Sequence, residues 1–363
     1  SSPTVIQRGS SIDIHLARHV EGPVNGAGEP LVTIRGADAG RGIIGVKDHV
    51  VGRFSNLIFE NGQGNANGGA IHNAGTLTLE NSVVTSSDGE RGGGLYNQFT
   101  GELTLRDSMI SGNTADYGGG IYNNGGKVEL LGSEVHGNEA ASDGGGFYNG
   151  GTTVSGTFHG GTLFLSETLV SGNVAMHGGA VHNAADSEVD IVRSTILENE
   201  VAGSGTSGGG AIDNDGEVTI ALSEIRDNVA TFGGGIHSSS GSQLLIEGST
   251  FAGNEAAANG GGVFTNSQAA FTNSTFAGNS ARIGGGLYVS ASSVTDMAFT
   301  TVAGNAVADG GGGIRYSGEL RLRGSIIADN TSDNGEGPDL YDDGTFTSLG
   351  YNLIGDPADS GVF

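Results

Sequence analysis

The chain has 363 residues, and its 70 glycines are about 19% of the total against the ~7% usual in proteins. With 5 prolines and no tripeptide period it is not collagen, and without cysteine it has no disulfide, thiolate metal site or cysteine nucleophile. The net charge of −25 argues against nucleic acid as a partner. No apolar run reaches the ~18–20 residues that cross a bilayer, so no membrane insertion is expected.

The first 55 residues differ from the rest of the chain. They carry strand-like runs at 12–16 and 31–34, but they lack the glycine element that marks the following residues. Terminal repeats of stacked proteins are commonly irregular. We therefore predict an N-terminal cap and first irregular turns over residues 1–55.

A unit of about 25 residues repeats over residues 56–335. A Gly-Gly-(Gly/Ala)-apolar element opens ten times, at Gly68, Gly92, Gly118, Gly144, Gly178, Gly209, Gly233, Gly260, Gly284 and Gly311. An apolar-x-x-Asn element keeps the same period and ends at Asn61, Asn113, Asn138, Asn173, Asn199, Asn228, Asn254, Asn279, Asn305 and Asn330. Two elements with one period indicate a single structural unit in tandem copies.

The stretches between these elements alternate apolar and polar residues, as in Leu77-Thr78-Leu79, which is typical of strands with one buried face. So short a unit can bury its apolar side only by stacking on copies of itself. We predict an all-β fold, a single parallel β-helix of about 12 turns, with a C-terminal turn or tail at 336–363. Glycines would turn its corners, equivalent asparagines would stack through their amides, and Ile121 and Ile236 would point inward.

The repeat resembles the polymorphic outer-membrane-protein repeats of bacterial surface proteins, whose signatures are GGA(I/L/V) and FxxN. The matching segments are Gly68-Gly69-Ala70-Ile71, Gly178-Gly179-Ala180-Val181, Gly209-Gly210-Ala211-Ile212, Phe251-Ala252-Gly253-Asn254 and Phe276-Ala277-Gly278-Asn279. The resemblance covers residues 55 to 330. It implies a right-handed helix, export to the cell surface or the extracellular space, and commonly an adhesive role.

One column of side chains is predicted to face outward, because it follows the inward apolar residue of each Gly-Gly element. It reads His72, Tyr96, Tyr122, Tyr148, His182, Asp213, His237, Phe264, Tyr288 and Arg315. Rings with polar tips and titratable groups suit a linear polysaccharide. The alternative is that the rings stack for stability on the sheet surface. For an outward ring, Tyr122→Ala is expected to change melting little.

A second column precedes the glycines and includes Arg91, Tyr117, Asp143 and His177. We predict ligand binding by Arg91, Tyr96, Tyr117, Tyr122, Asp143 and His177, beside an insert at 150–161 that contains His159. In an enzyme, the catalytic residues would be Tyr148, His182, Asp213 and His237. His182 or Tyr148 would take the proton α to a uronic-acid carboxylate while Arg91 or His177 neutralises that carboxylate.

Three functions stay open at this point. The first is a secreted or cell-surface β-helix that presents a ligand-binding or adhesive face to a polysaccharide or a cell surface. The second is a polysaccharide lyase, or a glycoside hydrolase using Asp143 and Asp213. The third is a structural filament or coat component. No motif requires a cofactor. Asp339, Asp342 and Asp343 lie in an acidic turn, which is either a Ca²⁺ site or a solvated loop.

Overall fold

The computed structural model describes residues 4–8, 12–15, 18–36, 40, 42–203 and 208–356, and in this part of the chain every regular element is a β-strand. The chain divides into two compact units. Unit 1 comprises Ser1–Met176 and Ala180–Asp190, and unit 2 comprises His177–Gly179 and Ile191–Phe363. Among the described residues there is no helix that could span a membrane.

Each full turn contributes up to four strands, and equivalent strands of successive turns pair in parallel to form four faces. Face 1 carries the apolar residue of the Gly-Gly element. In unit 1 its strands are Ile12–Ile14, Ile44–Val46, Ile71–Asn73, Leu95–Asn97, Ile121–Asn124, Phe147–Gly150 and Val181–Asn183. In unit 2 they are Ile212–Asn214, Ile236–Ser238, Val263–Thr265, Leu287–Val289, Ile314–Tyr316 and Leu340–Asp342.

Face 2 holds the longer alternating strands. In unit 1 these are Arg18–Glu21, Val51–Ser55, Thr76–Glu80, Glu102–Arg106, Lys127–Leu131 and Thr162–Ser166, and Glu188–Val192 spans the unit boundary. In unit 2 they are Glu217–Ala221, Gln243–Glu247, Gln268–Thr272, Val294–Ala298, Glu319–Arg323 and Thr345–Ser348.

Face 3 precedes the asparagine of the second repeat element. Its unit 1 strands are Thr4–Arg8, Val32–Gly36, Leu57–Glu60, Val83–Thr85, Met109–Ser111, Glu134–His136 and Leu169–Ser171. Its unit 2 strands are Thr195–Leu197, Glu224–Arg226, Thr250–Ala252, Thr275–Ala277, Thr301–Ala303, Ile326–Ala328 and Leu353–Ile354.

Face 4 leads back to the next Gly-Gly element. Its unit 1 strands are Gln63–Asn67, Asp88–Arg91, Thr114–Tyr117, Glu139–Asp143 and Val174–Ala175. Its unit 2 strands are Glu200–Val201, Val229–Phe232, Glu255–Asn259, Ser280–Ile283, Ala306–Val307 and Thr331–Ser332. The 150–161 insert forms the antiparallel hairpin Thr152–Val154 and Thr157–His159.

Parallel pairing keeps equivalent residues in register, so apolar positions stack inside the helix. Leu95 pairs with Ile121, which pairs with Phe147, and all three are at most 1% exposed. Ile121 and Ile236 are fully buried, as expected. The predicted parallel β-helix is confirmed, with seven face 1 strands in unit 1 and six in unit 2 against the 12 turns expected.

Glycines turn the corners, as predicted, and they do so for two reasons. Gly118 has a φ of 63°, in the left-handed region that side chains rarely adopt. A Cβ on the next residue, Gly119, would lie 2.5 Å from the carbonyl oxygens of Glu139 and Gly145. The corner therefore needs positive φ at one glycine and close backbone approach at the other.

Buried asparagines run along two faces as amide ladders. On face 3 of unit 1, Asn113 Nδ2 donates to Asn138 Oδ1 at 2.9 Å, and Asn138 Nδ2 donates to Asn173 Oδ1 at 3.0 Å. In unit 2 the same ladder runs Asn199, Asn228, Asn254, Asn279, Asn305 and Asn330. On face 1 of unit 1 a second ladder runs Asn73, Asn97, Asn123, Asn149 and Asn183.

The unit 2 ladder on face 3 changes residue at its last step. Asn330 donates through both its backbone N and its Nδ2 to Oδ1 of Asp339, at 2.9 and 2.8 Å. The other oxygen of Asp339 accepts the backbone N–H of Asp356. An ionised carboxylate accepts hydrogen bonds and has none to donate, so the ladder ends without an orphaned donor.

One predicted ladder member is wrong. Asn61 is exposed, with a φ of 57°, at a corner of the chain. The buried residue of that strand is Phe59, which pairs with Val84, so the ladder position three residues on falls at Gly62. The asparagine stands one residue out of register because an Asn at a corner tolerates positive φ.

Breaking the ladder is predicted to destabilise unit 2. Asn254 accepts from both the backbone N and Nδ2 of Asn228 and donates to Asn279 and to the carbonyl of Ile225. Asn254→Ala orphans these buried groups, so the free energy of unfolding is expected to fall by about 2–4 kcal/mol in chemical denaturation. Gln243→Ala, at an exposed position, is the control and is expected to change it by less than about 0.5 kcal/mol. Equal losses in the two variants would contradict the prediction.

Candidate functional site

The unit 1 column consists of five stacked rings on face 1: His72, Tyr96, Tyr122, Tyr148 and His182. Their positions pair in register between successive strands. Tyr96 and Tyr122 are 5.5 Å apart at 13°, Tyr122 and Tyr148 are 4.5 Å apart at 7°, and Tyr148 and His182 are 5.2 Å apart at 25°. At the other end His72 meets Tyr96 edge-on, at 5.1 Å and 68°.

Stacking decides what the unit 1 column can offer a ligand. Because the tyrosine rings cover one another's faces, the groups left for a ligand are ring edges and hydroxyl tips. An aromatic edge carries partial positive charge, and a phenol both donates and accepts hydrogen bonds. The side chain two residues beyond a ring also reaches back to the preceding turn, since Asn124 Nδ2 donates to Tyr96 Oη at 2.8 Å.

Three side chains from the ends of face 4 strands flank the column. Arg91, Tyr117 and Asp143 pair in register with one another. The Arg91 guanidinium carbon lies 6.0 Å from the centre of the Tyr122 ring, and Tyr117 meets Tyr148 edge-on at 6.0 Å. We call these three residues and the five rings the unit 1 face.

Burial controls the acidity of the tyrosines. It raises the pKa of Tyr96, Tyr122 and Tyr148 above the ordinary value, and the charge of Asp143 raises that of Tyr148 further. These phenols are therefore protonated at neutral pH and suited to donate hydrogen bonds. A raised pKa makes Tyr148 poorly suited to the proton-abstracting role that the sequence offered it.

Unit 2 carries a different arrangement at the same column positions. His237 Nδ1 lies 2.7 Å from Asp213 Oδ1, and the two side chains are 13% and 8% exposed. The His237 ring stacks on Phe264 at 5.2 Å, and Phe264 stacks on Tyr288 at 5.2 Å and 3°. A carboxylate thus holds one nitrogen of an imidazole whose ring is packed against a neighbour.

Seven of the ten predicted site residues lie together on the unit 1 face: Arg91, Tyr96, Tyr117, Tyr122, Asp143, Tyr148 and His182. His177, Asp213 and His237 belong to unit 2. His159 of the insert packs near Phe99, with ring centres 5.9 Å apart. Asn124 and Gln98 were missed by the sequence analysis, although both stand two residues beyond a column ring.

The acidic turn proposed for Ca²⁺ is occupied by protein contacts. Asp339 ends the asparagine ladder, and Asp343 pairs with Arg315, whose guanidinium lies 4.3 Å from the centre of the Tyr341 ring. No group of three or more His, Asp and Glu side chains in the described ranges is arranged to hold a metal ion. A Ca²⁺ site at this turn stays a prediction.

A known family matches this chain over residues 166–348, half of its length, under the description "Right handed beta helix region". The chain belongs to the right-handed β-helix family. The handedness that the repeat resemblance implied is thereby confirmed. The A-module of the mannuronan C-5 epimerase AlgE6 from Azotobacter vinelandii is similar at 14% identity and a TM-score of 0.36, over 98% of this chain and 91% of that module. No curated protein matches the sequence.

The packing of the column corrects the expectation for Tyr122→Ala. The ring is half-buried and lies between two other tyrosine rings, so its removal costs two stacking contacts and buried area. We predict a loss of about 2–3 kcal/mol in the free energy of unfolding, measured by chemical denaturation. Tyr122→Phe keeps the ring and is the matched control, with a loss expected to stay below about 1 kcal/mol. An alanine variant as stable as the phenylalanine variant would show that the stack contributes no stability.

Proposed function

We propose that this protein is secreted or displayed on a bacterial cell surface and binds glycans along the unit 1 face. The proposal includes membership of the polymorphic outer-membrane-protein repeat group, whose two signatures recur along the chain. An adhesive role follows for a protein that holds a glycan without turning it over.

The observation that carries the proposal is the composition of the unit 1 face. Phenol hydroxyls recur along it at ring separations of 4.5–5.5 Å, beside one guanidinium and one carboxylate. Sugars present hydroxyl groups in closely spaced series, and each needs a donor or an acceptor. Because the ring faces are taken up by stacking, recognition would proceed through ring edges and hydroxyls.

Charge supports a neutral glycan over an acidic one. The chain carries 40 acidic and 15 basic residues other than histidine, so a polyanion would be repelled over most of its surface. On the unit 1 face Arg91 is balanced by Asp143. Protonated phenols add donors without adding charge.

Binding can be measured by titration calorimetry with soluble neutral polysaccharides such as β-glucan and galactomannan, with alginate as the acidic comparison. We expect binding to a neutral polymer, weakened at least about tenfold by Arg91→Ala and by Tyr117→Ala. Arg106→Ala, an exposed arginine of face 2 in the same unit, is the matched control and is expected to leave the Kd unchanged. Absence of binding to every polymer, or equal loss in the control, would refute the proposal.

A second candidate function rests on the Asp213–His237 pair. An ionised Asp213 only accepts hydrogen bonds, so Nδ1 of His237 carries the hydrogen and Nε2 is left as the proton acceptor. Such an imidazole can act as the general base of a polysaccharide lyase or a hydrolase. In β-elimination, Nε2 would take the proton α to the uronate carboxylate, the C–H electron pair would form a C=C bond as the glycosidic C–O bond to the β carbon breaks, and the leaving oxygen would take a proton from water.

Turnover distinguishes the enzyme from the binding protein. An enzyme would release reducing ends, or unsaturated uronate absorbance, from at least one polysaccharide. His237→Ala is expected to abolish this and His136→Ala, a face 3 histidine of unit 1, to leave it unchanged. Asp213→Ala is expected to lower the turnover, because it removes the side chain whose Oδ1 lies 2.7 Å from Nδ1 of His237. Turnover that survives in His237→Ala would exclude this pair as the catalytic base.

A further inference from the structure

The unit 1 column ends at His72, because the equivalent residue of the preceding turn has no side chain. In the strand that pairs with Ile71–Asn73 on that side, the residue opposite His72 is Gly45. One strand further, the residue opposite Gly45 is Asp13. The column position is therefore empty for one turn, and equivalent positions of adjacent strands are ~4.8 Å apart.

The position of Gly45 also lacks the polar partner that the two nearest rings of the column, His72 and Tyr96, have. His72 Nε2 lies 3.3 Å from Gln98 Oε1, and Asn124 Nδ2 donates to Tyr96 Oη, so these two rings are each held by the side chain two residues beyond the ring of the following turn. For the position of Gly45 this partner would be Ala74. A ring and an amide are both missing from one rung.

The missing rung leaves a cavity of about 360 Å³. Its lining includes Asp13, Gly45, Lys47, Asn67, His72 and Gln98. This volume falls within the range of small-molecule sites, ~300–1,000 Å³. The glycine and the alanine leave room, and the other side chains supply hydrogen-bonding groups on several sides.

The charges that line the cavity cancel. Lys47 Nζ lies 3.1 Å from Asp13 Oδ2, and both side chains are about half exposed, at 49% and 46%. Burial lowers the pKa of His72, which keeps its imidazole neutral at pH 7, although the bond to Gln98 opposes this shift. A ligand with a net charge would have no counter-charge here. A neutral molecule with several hydroxyls could use the ammonium, the carboxylate and the amides together.

We propose that this cavity binds a single sugar unit of a neutral glycan, which occupies the vacant rung beside His72. The inference rests on the proposed function, since it places one end of a bound glycan chain at the end of the unit 1 face. A sugar ring there could cover the side of His72 on which the column has no ring. Its hydroxyls would bond the groups that line the cavity.

Restoring the missing ring tests the proposal. Gly45 has an ordinary φ, and a Cβ there would approach only the Asp13 carboxylate, at 2.6 Å, which is exposed and can move. Gly45→Tyr should therefore fold, extend the column and fill the cavity. Gly26→Tyr is the matched control, because a Cβ at that exposed turn meets no atom within 4 Å.

The probes are D-glucose, D-galactose, D-mannose and N-acetyl-D-glucosamine, with D-glucuronate as the anionic comparison, in saturation-transfer NMR. We expect at least one neutral sugar to bind, with a Kd raised at least tenfold by Gly45→Tyr and unchanged by Gly26→Tyr. Lys47→Met should also weaken binding, and its unpaired Asp13 should not favour glucuronate. The proposal is overturned by absence of sugar binding, by equal binding in Gly45→Tyr, or by a preference for glucuronate.

The two proposals fail separately. Arg91→Ala should weaken binding of a polysaccharide and leave the monosaccharide Kd unchanged, since Arg91 does not line the cavity. Polymer binding that depends on Arg91, without any monosaccharide binding, would overturn the cavity proposal and leave the unit 1 face in place. Monosaccharide binding that Gly45→Tyr removes, without polymer binding, would do the reverse.

Discussion

Register between successive turns is the constraint on which this structure depends. Parallel pairing places each side chain directly over its equivalent in the next turn, at one strand spacing. Each position must therefore be occupied by a residue that packs against the residue at the equivalent position of the next turn. Leucine and isoleucine do so inside the helix through apolar contact, and asparagine does so through its amide, which has a donor for one neighbour and an acceptor for the other.

The same constraint shapes the candidate sites. A tyrosine over a tyrosine forms a stack whose faces are closed to ligands, so the regular part of the unit 1 column offers its edges. A cavity or an oriented imidazole arises only where a column position departs from the repeat. Gly45 has no ring and leaves a cavity, and Asp213 stands in place of a ring and contacts Nδ1 of the neighbouring His237. Irregular positions in a regular stack are thus the natural places to look for function.

Much of the fold could be predicted, because the repeat of about 25 residues shows which residues occupy equivalent positions in successive turns. Gly118 turns a corner and Asn138 stacks in an amide ladder, as the repeat predicted. Asn61 was assigned to the ladder because it stands three residues after the apolar residue Ile58. The inward residue of that strand is Phe59, and the sequence pattern does not show which of the two apolar residues is buried. The hydrogen bond between Asp213 and His237 depends on rotamers that a pattern does not contain. The vacancy at Gly45 was hidden because residues before 56 lack the Gly-Gly element that would have aligned them.

The asparagine ladder of unit 2 has a direction, because every amide donates toward the following turn. Asp339 receives two of these bonds on one oxygen and a third on the other. An asparagine repeat inserted between Asn199 and Asn330 would accept a hydrogen bond from the preceding amide and donate one to the following amide. A repeat added after Asp339 would accept none, because an ionised carboxylate has no hydrogen to donate. A turn with asparagine at this position continues the ladder, and a turn with aspartate ends it. The two side chains differ in one atom, the amide nitrogen of asparagine or the second carboxylate oxygen of aspartate.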